Sequence, residues 1–433
     1  MLKIKPLITA LFLGCCLSAS LTSCLKDQDD LFDRPASARL QDRMDQVRQV
    51  LRSAEHGWEF DYYPGIDLSY GGVVYTVRFD SLTATVGCSL IPDSTETTYY
   101  RITNDNGPVL TFDTYNRLLH YFATPSASEY EAKGGEFEFV VRDVTDSLIT
   151  LYGKKTRNTM YLRRLHASAD DYATRTVSIF DHFVAGFTGT IDGNDVEGTF
   201  DLGNRSIKLT SATDAATTHF AFTDRGIRLY HPLRVAGTSI QALAYDTETM
   251  QFTAIDAPQH DIRLQGIPFA DSVQTFSSYA GRYTLRYNNN RNIAVTLVPN
   301  RLDGTYLLSG LSRHYNLVLR YEPASGSLTL APQVVGDYDG NTVYFCTYNS
   351  SVGSIWLAEE ASFTLKWNGS KTRVVYNFTA TNPNRYDCNS GVLIMVYYDE
   401  SSNLTAALMT DNSWLPGGSA TMPQLQSLQR QRD

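Results

Sequence analysis

Asp113, Asn116 and His120 fall close together in the phrase GPVLTFDTYNRLLHYF. A carboxylate and an imidazole at that spacing could act as an acid–base pair. The plainer reading is a strand running into a turn, with Asp113 and Asn116 bonded to local backbone. Lys154, Lys155 and Arg157 crowd into YGKKTRN, beside the acid of GGEFEF, and could hold an anion. A solvated hairpin tip is the plainer account of them. Asp192-Gly193-Asn194-Asp195 and Asp337-Tyr338-Asp339-Gly340-Asn341 resemble calcium loops but lack the glutamate spacing of an EF-hand. They read as hairpin turns. The eight histidines are scattered, with no HExxH. Nucleophile-elbow, dinucleotide and P-loop patterns are absent. No catalytic residue, metal site or cofactor is therefore assigned. The 27 tyrosines and Trp356, Trp367 and Trp414 leave one further chemistry, stacking on a ligand from exposed rings. The three tryptophans are the candidate ligand-binding residues, and packing in β cores is the competing account.

A different chemistry belongs to Cys24. Residues 1–20 carry Lys3 and Lys5, then an apolar run from Leu7 to Leu17 that is too short to span a bilayer. This has the form of a signal peptide. Leu21-Thr22-Ser23-Cys24 resembles the lipobox of bacterial lipoproteins, where the thiol takes a diacylglyceryl group before cleavage. Two or three acyl chains then hold a protein stably on a membrane. Lys26, Asp27, Asp29 and Asp30 follow as a mainly acidic tether. Such tethers resemble the Bacteroidota signal for the outer face of the outer membrane. The expected location is the outer membrane, lipid-anchored and exposed at the cell surface, with the periplasmic face as the alternative. Of six cysteines, Cys15 and Cys16 leave with the signal, and Cys88, Cys346 and Cys388 remain in the body. Cys346 and Cys388 could pair, but three buried thiols are preferred.

The formal charge is −9, and loss of Lys3 and Lys5 makes it −9 − 2 = −11. No basic patch is present, so no nucleic-acid partner is expected. The elements that must position any site read as mainly β. Leu40, Met44, Val47, Leu51 and Ala54 recur at helical spacing, predicting one amphipathic helix packed on a sheet, capped by Ser37 and ended by Gly57. From Trp58 the period becomes two, in runs such as VVYTVRF separated by polar turns. The expected organisation is a signal peptide (1–23), a tether (24–34), a helix-plus-β domain (35–166), a second β half (167–262) beginning with a polar linker, and a C-terminal antiparallel barrel or sandwich (275–415). A loose tail (416–433) completes it. FAFTDRGIRLYHPL (220–233) echoes YRITNDNGPVLTFDTY (100–115), suggesting two related halves.

Several phrases together resemble one family. They are Gly57-Trp58 after the arginine-rich helix, GPVLTFDTYNRLLHYFATPS, GGEFEFVV and LYGKKTRNTMYLRRL. They are similar to Bacteroidota lipoproteins carrying domain of unknown function 4302, clearly over residues 30–165 and more vaguely beyond. The resemblance brings no catalytic residue. It implies an accessory lipoprotein of SusC/SusD-type nutrient uptake systems, with transporter components or a neighbouring metallopeptidase as partners. A glycan, peptide or protein ligand follows as the expectation. A hydrolase acting on the same material, and a structural or adhesive surface protein, are the alternatives.

Overall fold

Strict alternation builds the first barrel. In β1 (Trp58–Tyr62), Trp58, Phe60 and Tyr62 face one way and Glu59 and Asp61 the other. The computed structural model describes residues 35–125, 131–235, 237–398, 401 and 403–431. Cys24, its lipobox and the acidic tether lie outside the described residues. After β1 come β2 (Val73–Phe79), β3 (Thr83–Cys88), β4 (Ile91–Asn104), β5 (Pro108–Phe112), β6 (Glu138–Val144), β7 (Leu148–Gly153) and β8 (Thr159–Arg164). Each pairs antiparallel with the next, and β8 returns to β1 with Leu162 opposite Phe60, closing the ring. Phe60 meets Tyr62 and Phe139 edge to face at 5.7 and 5.2 Å. With Trp58, Tyr75 and Phe112 they are fully buried. Eight strands leave room for little more than side chains, and here rings fill it.

Helix α1 (Ala36–Arg52) covers this barrel through Val47, Val50 and Leu51, and the Trp58 indole N–H donates to the Leu51 carbonyl at 2.8 Å. The helix begins two residues earlier than expected. Pro35, not Ser37, stands at the N-cap, and no side chain caps the end. Pro fits there because the first amides lack helical partners in any case.

A second eight-stranded ring repeats the plan, as β9 (Gly186–Ile191), β10 (Asn194–Asp201), β11 (Ser206–Ser211), β12 (Ala215–Thr223), β13 (Gly226–Val235), β14 (Thr238–Asp246), β15 (Gln251–Ala254) and β16 (Ile262–Ile267). Its interior is packed with phenylalanine, Phe183 lying 5.0 Å from Phe222 and 4.8 Å from Phe200. The two echoing phrases form β4–β5 and β12–β13, the fourth and fifth strands of their respective barrels.

Between the barrels lies an element the sequence reading missed. The polar linker begins a second helix, α2 (Ala169–Asp181). Ser168 Oγ accepts from the Asp171 amide at 3.1 Å, and Tyr172, Ala173, Thr176 and Ile179 are buried. The cap was present in the sequence.

The third barrel is interrupted. Strands β17 (Gly281–Tyr287), β18 (Arg291–Asn300), β19 (Thr305–Ser309), β20 (Leu317–Glu322) and β21 (Ser327–Leu330) run in order. Then β22 (Gln333–Tyr338), β23 (Asn341–Asn349) and β24 (Ser354–Trp356) leave for a separate sheet. The chain returns for β25 (Phe363–Trp367) and β26 (Val375–Ala380), and leaves again for β27 (Ser390–Tyr398), β28 (Leu404–Leu408) and β29 (Thr421–Met422). Finally β30 (Leu425–Arg430) fits between β17 and β26, Leu428 standing opposite both Leu285 and Tyr376. The tail expected to be loose therefore closes the barrel, because β17 and β26 each need a hydrogen-bonding neighbour. Cys88, Cys346 and Cys388 are separate buried thiols, and burial pushes them up to about 11, 12 and 11. Cys346 and Cys388 form no disulfide.

Candidate binding cleft

Rings fill the interiors of the first two barrels, and the open cleft lies where the barrels meet. The outward residues of β1 show how the first two barrels join. Arg228 of β13 donates to Glu59 at 2.9 Å and to Asp61 at 2.5 Å. Arg163 reaches Asp61 at 3.2 Å, and the Tyr172 hydroxyl of α2 donates to Glu59 at 2.6 Å. Burial pushes the Glu59 carboxyl up, while the adjacent Arg228 works against that rise. The carboxylates raise the Arg228 guanidinium far above its usual range, outweighing desolvation.

A second arginine joins all three barrels. Arg205, in the β10–β11 turn, is 2% exposed. Its Nη1 donates to the carbonyls of Tyr70 and Gly72 at 3.0 and 3.1 Å, and its Nη2 to those of Arg301 and Leu302 at 2.5 and 2.8 Å. Burial lowers this guanidinium to about 10, so it stays a cation at neutral pH. The approach is close enough to require glycine. A Cβ on Gly71, at φ +61°, would sit 2.4 Å from Arg205 Cβ. The third barrel is fixed further by Arg301, which grips Asp181 at 3.1 and 3.2 Å, and by Tyr121, which donates to Asp303 at 2.5 Å.

These joints surround a cleft of about 1450 Å³ lined by all three barrels. Its charged side chains are mostly neutralised, Lys133 lying 3.6 Å from Asp303 and Arg117 donating to Glu96 at 2.9 Å. Its lining also carries an exposed ring, that of Tyr115. Tyr115 is 66% exposed, and its ring stands 5.7 Å from His120, which stands 5.5 Å from the exposed ring of Phe137. The local chain dictates this row. Asn116 Oδ1 accepts from the Leu118 and Leu119 amides at 3.0 Å each, capping a tight turn that buries both leucines and leaves Tyr115 outside. Desolvation lowers the His120 pKa, favouring the neutral ring.

The sequence candidates are dispersed. Asp113 pairs with Arg101, while His120 Nδ1 meets the Asn116 backbone at 3.1 Å, so no Asp–His acid–base pair forms. Lys154 is held by Asp105 at 3.0 Å and Glu138 at 3.6 Å. Trp414 is only 6% exposed, stacked on His314 at 4.9 Å. Trp356 and Trp367 are half-buried, against Tyr386 and the Ser370 carbonyl. None of the three tryptophans lines the cleft. An exposed ring that does, Tyr115, lies inside a phrase singled out for its polar residues. Glu136 was also missed, since its burial could not be read. Its carboxylate accepts from four backbone amides, of Phe137, Glu138, Lys155 and Thr156, at 2.5–3.2 Å.

Two clusters approach nucleophile geometry without reaching it. Asp192 and Thr238 both lie against Nδ1 of His260, at 2.6 and 3.1 Å. A relay needs them on opposite ring nitrogens. Ser413 Oγ lies 2.9 Å from His314 Nε2 but donates to Asp411 at 2.7 Å, and the anionic acceptor takes the proton. Among the described residues no three metal-ligating side chains converge. No helix there is long and apolar enough to cross a membrane.

Residues 28–247 match the family described as Domain of unknown function (DUF4302), and residues 255–394 match a second domain of unknown function, DUF4987. No curated protein matches. Among solved structures, a mosquitocidal holotoxin aligns at 10% identity over 85% of this chain and 68% of its own, with a TM-score of 0.13. A dihydro-heme d1 dehydrogenase aligns at 11% identity over 87% and 74%, with a TM-score of 0.11. Alignments at those scores share no overall shape with this chain and carry no inference about its fold.

Proposed function

We propose, on the premise that the chain belongs to the DUF4302 family, that it is a surface-anchored binding protein. Lipidated Cys24 would hold it on the outer membrane, facing outward, as a non-catalytic accessory of SusC/SusD-type uptake. The cleft between the barrels would take the ligand. The observation that carries this is the exposed Tyr115 ring in the cleft lining, with His120 and Phe137 beside it just outside the lining. Neutral rings at an open edge suit the apolar face of a sugar. Polar side chains elsewhere in the lining, among them Asn204 and Asn316, suit hydroxyl groups. A glycan is the ligand class this supports best. The relay geometries absent at His260 and His314 bear only on a serine- or threonine-type hydrolase, and a hydrolase acting on the same material stays the alternative.

Two experiments test the two halves of this reading. Cys24→Ala should move the protein from the membrane fraction to the soluble fraction. Labelled fatty acid still entering that variant would refute the anchor. On a glycan array the same soluble chain should bind, and Tyr115→Ala should weaken binding about tenfold, on the order of 1.4 kcal/mol. The melting temperature should barely move, since Tyr115 is exposed. Equal binding by the variant would place the ligand elsewhere.

A further inference from the structure

The sheet built by the two interruptions of the third barrel differs from the rest of the surface. Its hydrogen-bonded order is β22-β23-β27-β28, and β28 forms the outer edge among the described residues. Native edges are usually blunted by lysine, proline or a bulge. This one reads Leu404-Thr405-Ala406-Ala407-Leu408, with none of these and no charge. Leu404 and Leu408 are 65% and 49% exposed, and Tyr398 beside Leu404 is 73% exposed. The apolar character continues inward on the same face. Leu408 stands opposite Ile394, and Ile394 opposite Tyr344. Ala406 stands opposite Val396. Ile394, Val392 and Cys346 form a small apolar cluster apart from the barrel core.

The sequence of the edge says what fits it. Leu-Thr-Ala-Ala-Leu is nearly the same read in either direction. We propose that β28 pairs antiparallel with β28 of a second copy of this chain, about a two-fold axis through Ala406. In that register Leu404 meets Leu408 of the second copy, Thr405 meets Ala407, and Ala406 meets itself. Directly opposed residues of an antiparallel pair share a face. The apolar faces of the two sheets therefore join into one. The edge bears no charge, so the two copies meet without like-charge repulsion despite the net −9 of each chain. An isologous contact of this kind closes at two copies and does not propagate.

The chain with Cys15, Cys16 and Cys24 replaced by serine provides the test, because its remaining thiols are buried. Sedimentation should show a concentration-dependent dimer. Ala406→Lys should weaken self-association at least tenfold while leaving the thermal transition unchanged. Register is read by cross-linking. Ala406→Cys should oxidise to a disulfide-linked dimer, since opposed Cα atoms in such a pair lie within disulfide reach. Leu404→Cys alone should not cross-link, but an equal mixture with Leu408→Cys should. A chain that stays monomeric across the micromolar range overturns the proposal. So does a dimer that Ala406→Lys leaves intact, or one in which Leu404→Cys links to itself. Binding of an unrelated extended peptide by the monomer would assign the edge to a foreign strand instead.

Discussion

Replacing Arg205 by methionine is expected to cost about 3–5 kcal/mol of stability, measured by denaturant unfolding. The side chain is fully buried, and its two terminal nitrogens satisfy four carbonyls from two other barrels. Methionine fills similar space but donates nothing, so those acceptors face an apolar group. Removing the buried cation offsets part of this, because its own desolvation disappears. Lysine should recover less than half of the loss. Its three donors radiate from one point, whereas the guanidinium presents a planar fork wide enough to serve two pairs of carbonyls. A methionine variant within about 1 kcal/mol of the parent would mean that water from the neighbouring cleft satisfies the carbonyls at little cost.

Arg228→Met should destabilise by a comparable amount, about 3–5 kcal/mol at pH 7, for a different reason. It leaves Glu59 and Asp61 buried side by side without their shared cation. The loss should depend on pH in a definite direction. Burial already raises the Glu59 carboxyl above its ordinary 4.5, and Arg228 is the chief influence lowering it. Without Arg228 the folded-state value climbs further, while the unfolded value stays near 4.5. A group raised in this way favours the folded state most fully below its unfolded pKa, and that contribution is lost as pH rises through the folded pKa. The deficit of the variant should therefore shrink as pH falls from 7 toward 4.5, where Glu59 takes a proton. Glu59→Gln added to Arg228→Met should restore part of the stability at pH 7 and flatten the pH dependence. A deficit that is constant from pH 7 to 5 would show that Glu59 is not the group left unpaired.

Much of the barrel content was legible, and the reason is visible in β1. Trp58-Glu59-Phe60-Asp61-Tyr62 alternates without a break, and alternation is imposed by the pleat itself. Ring closure was not legible, because it depends on Phe60 meeting Leu162, residues far apart in the chain with nothing local to mark the pairing. Helix α2 was overlooked because its acidic first turn, Asp170 and Asp171, resembles a linker. Those same acids favour a helix N-terminus. β30, LQSLQR, is too polar to declare a strand, and only the unfilled edges of β17 and β26 make it one. The cleft was hidden for a related reason. Tyr115, Arg205 and Arg301 come from three separate barrels, and Arg205 in sequence is an ordinary turn residue. The exposure of the tryptophans was not legible either, because ring type says nothing of it. Trp414 is stacked between His314 and Tyr315 on one side and meets Tyr338 edge-on.

The placement of β30 also sets an order of events during synthesis. The first barrel has all its strands once residue 164 has emerged, and the second once residue 267 has. Each can close behind the growing chain from neighbouring hairpins. The third cannot. Its last stave, residues 425–430, follows both excursions, so five strands made early must wait with one flank open while the outer sheet is completed. Throughout that wait β17 and β26 expose unsatisfied backbone edges. Without β30 the chain would carry two finished barrels and one that never seals, so the third barrel is the last of the three to close.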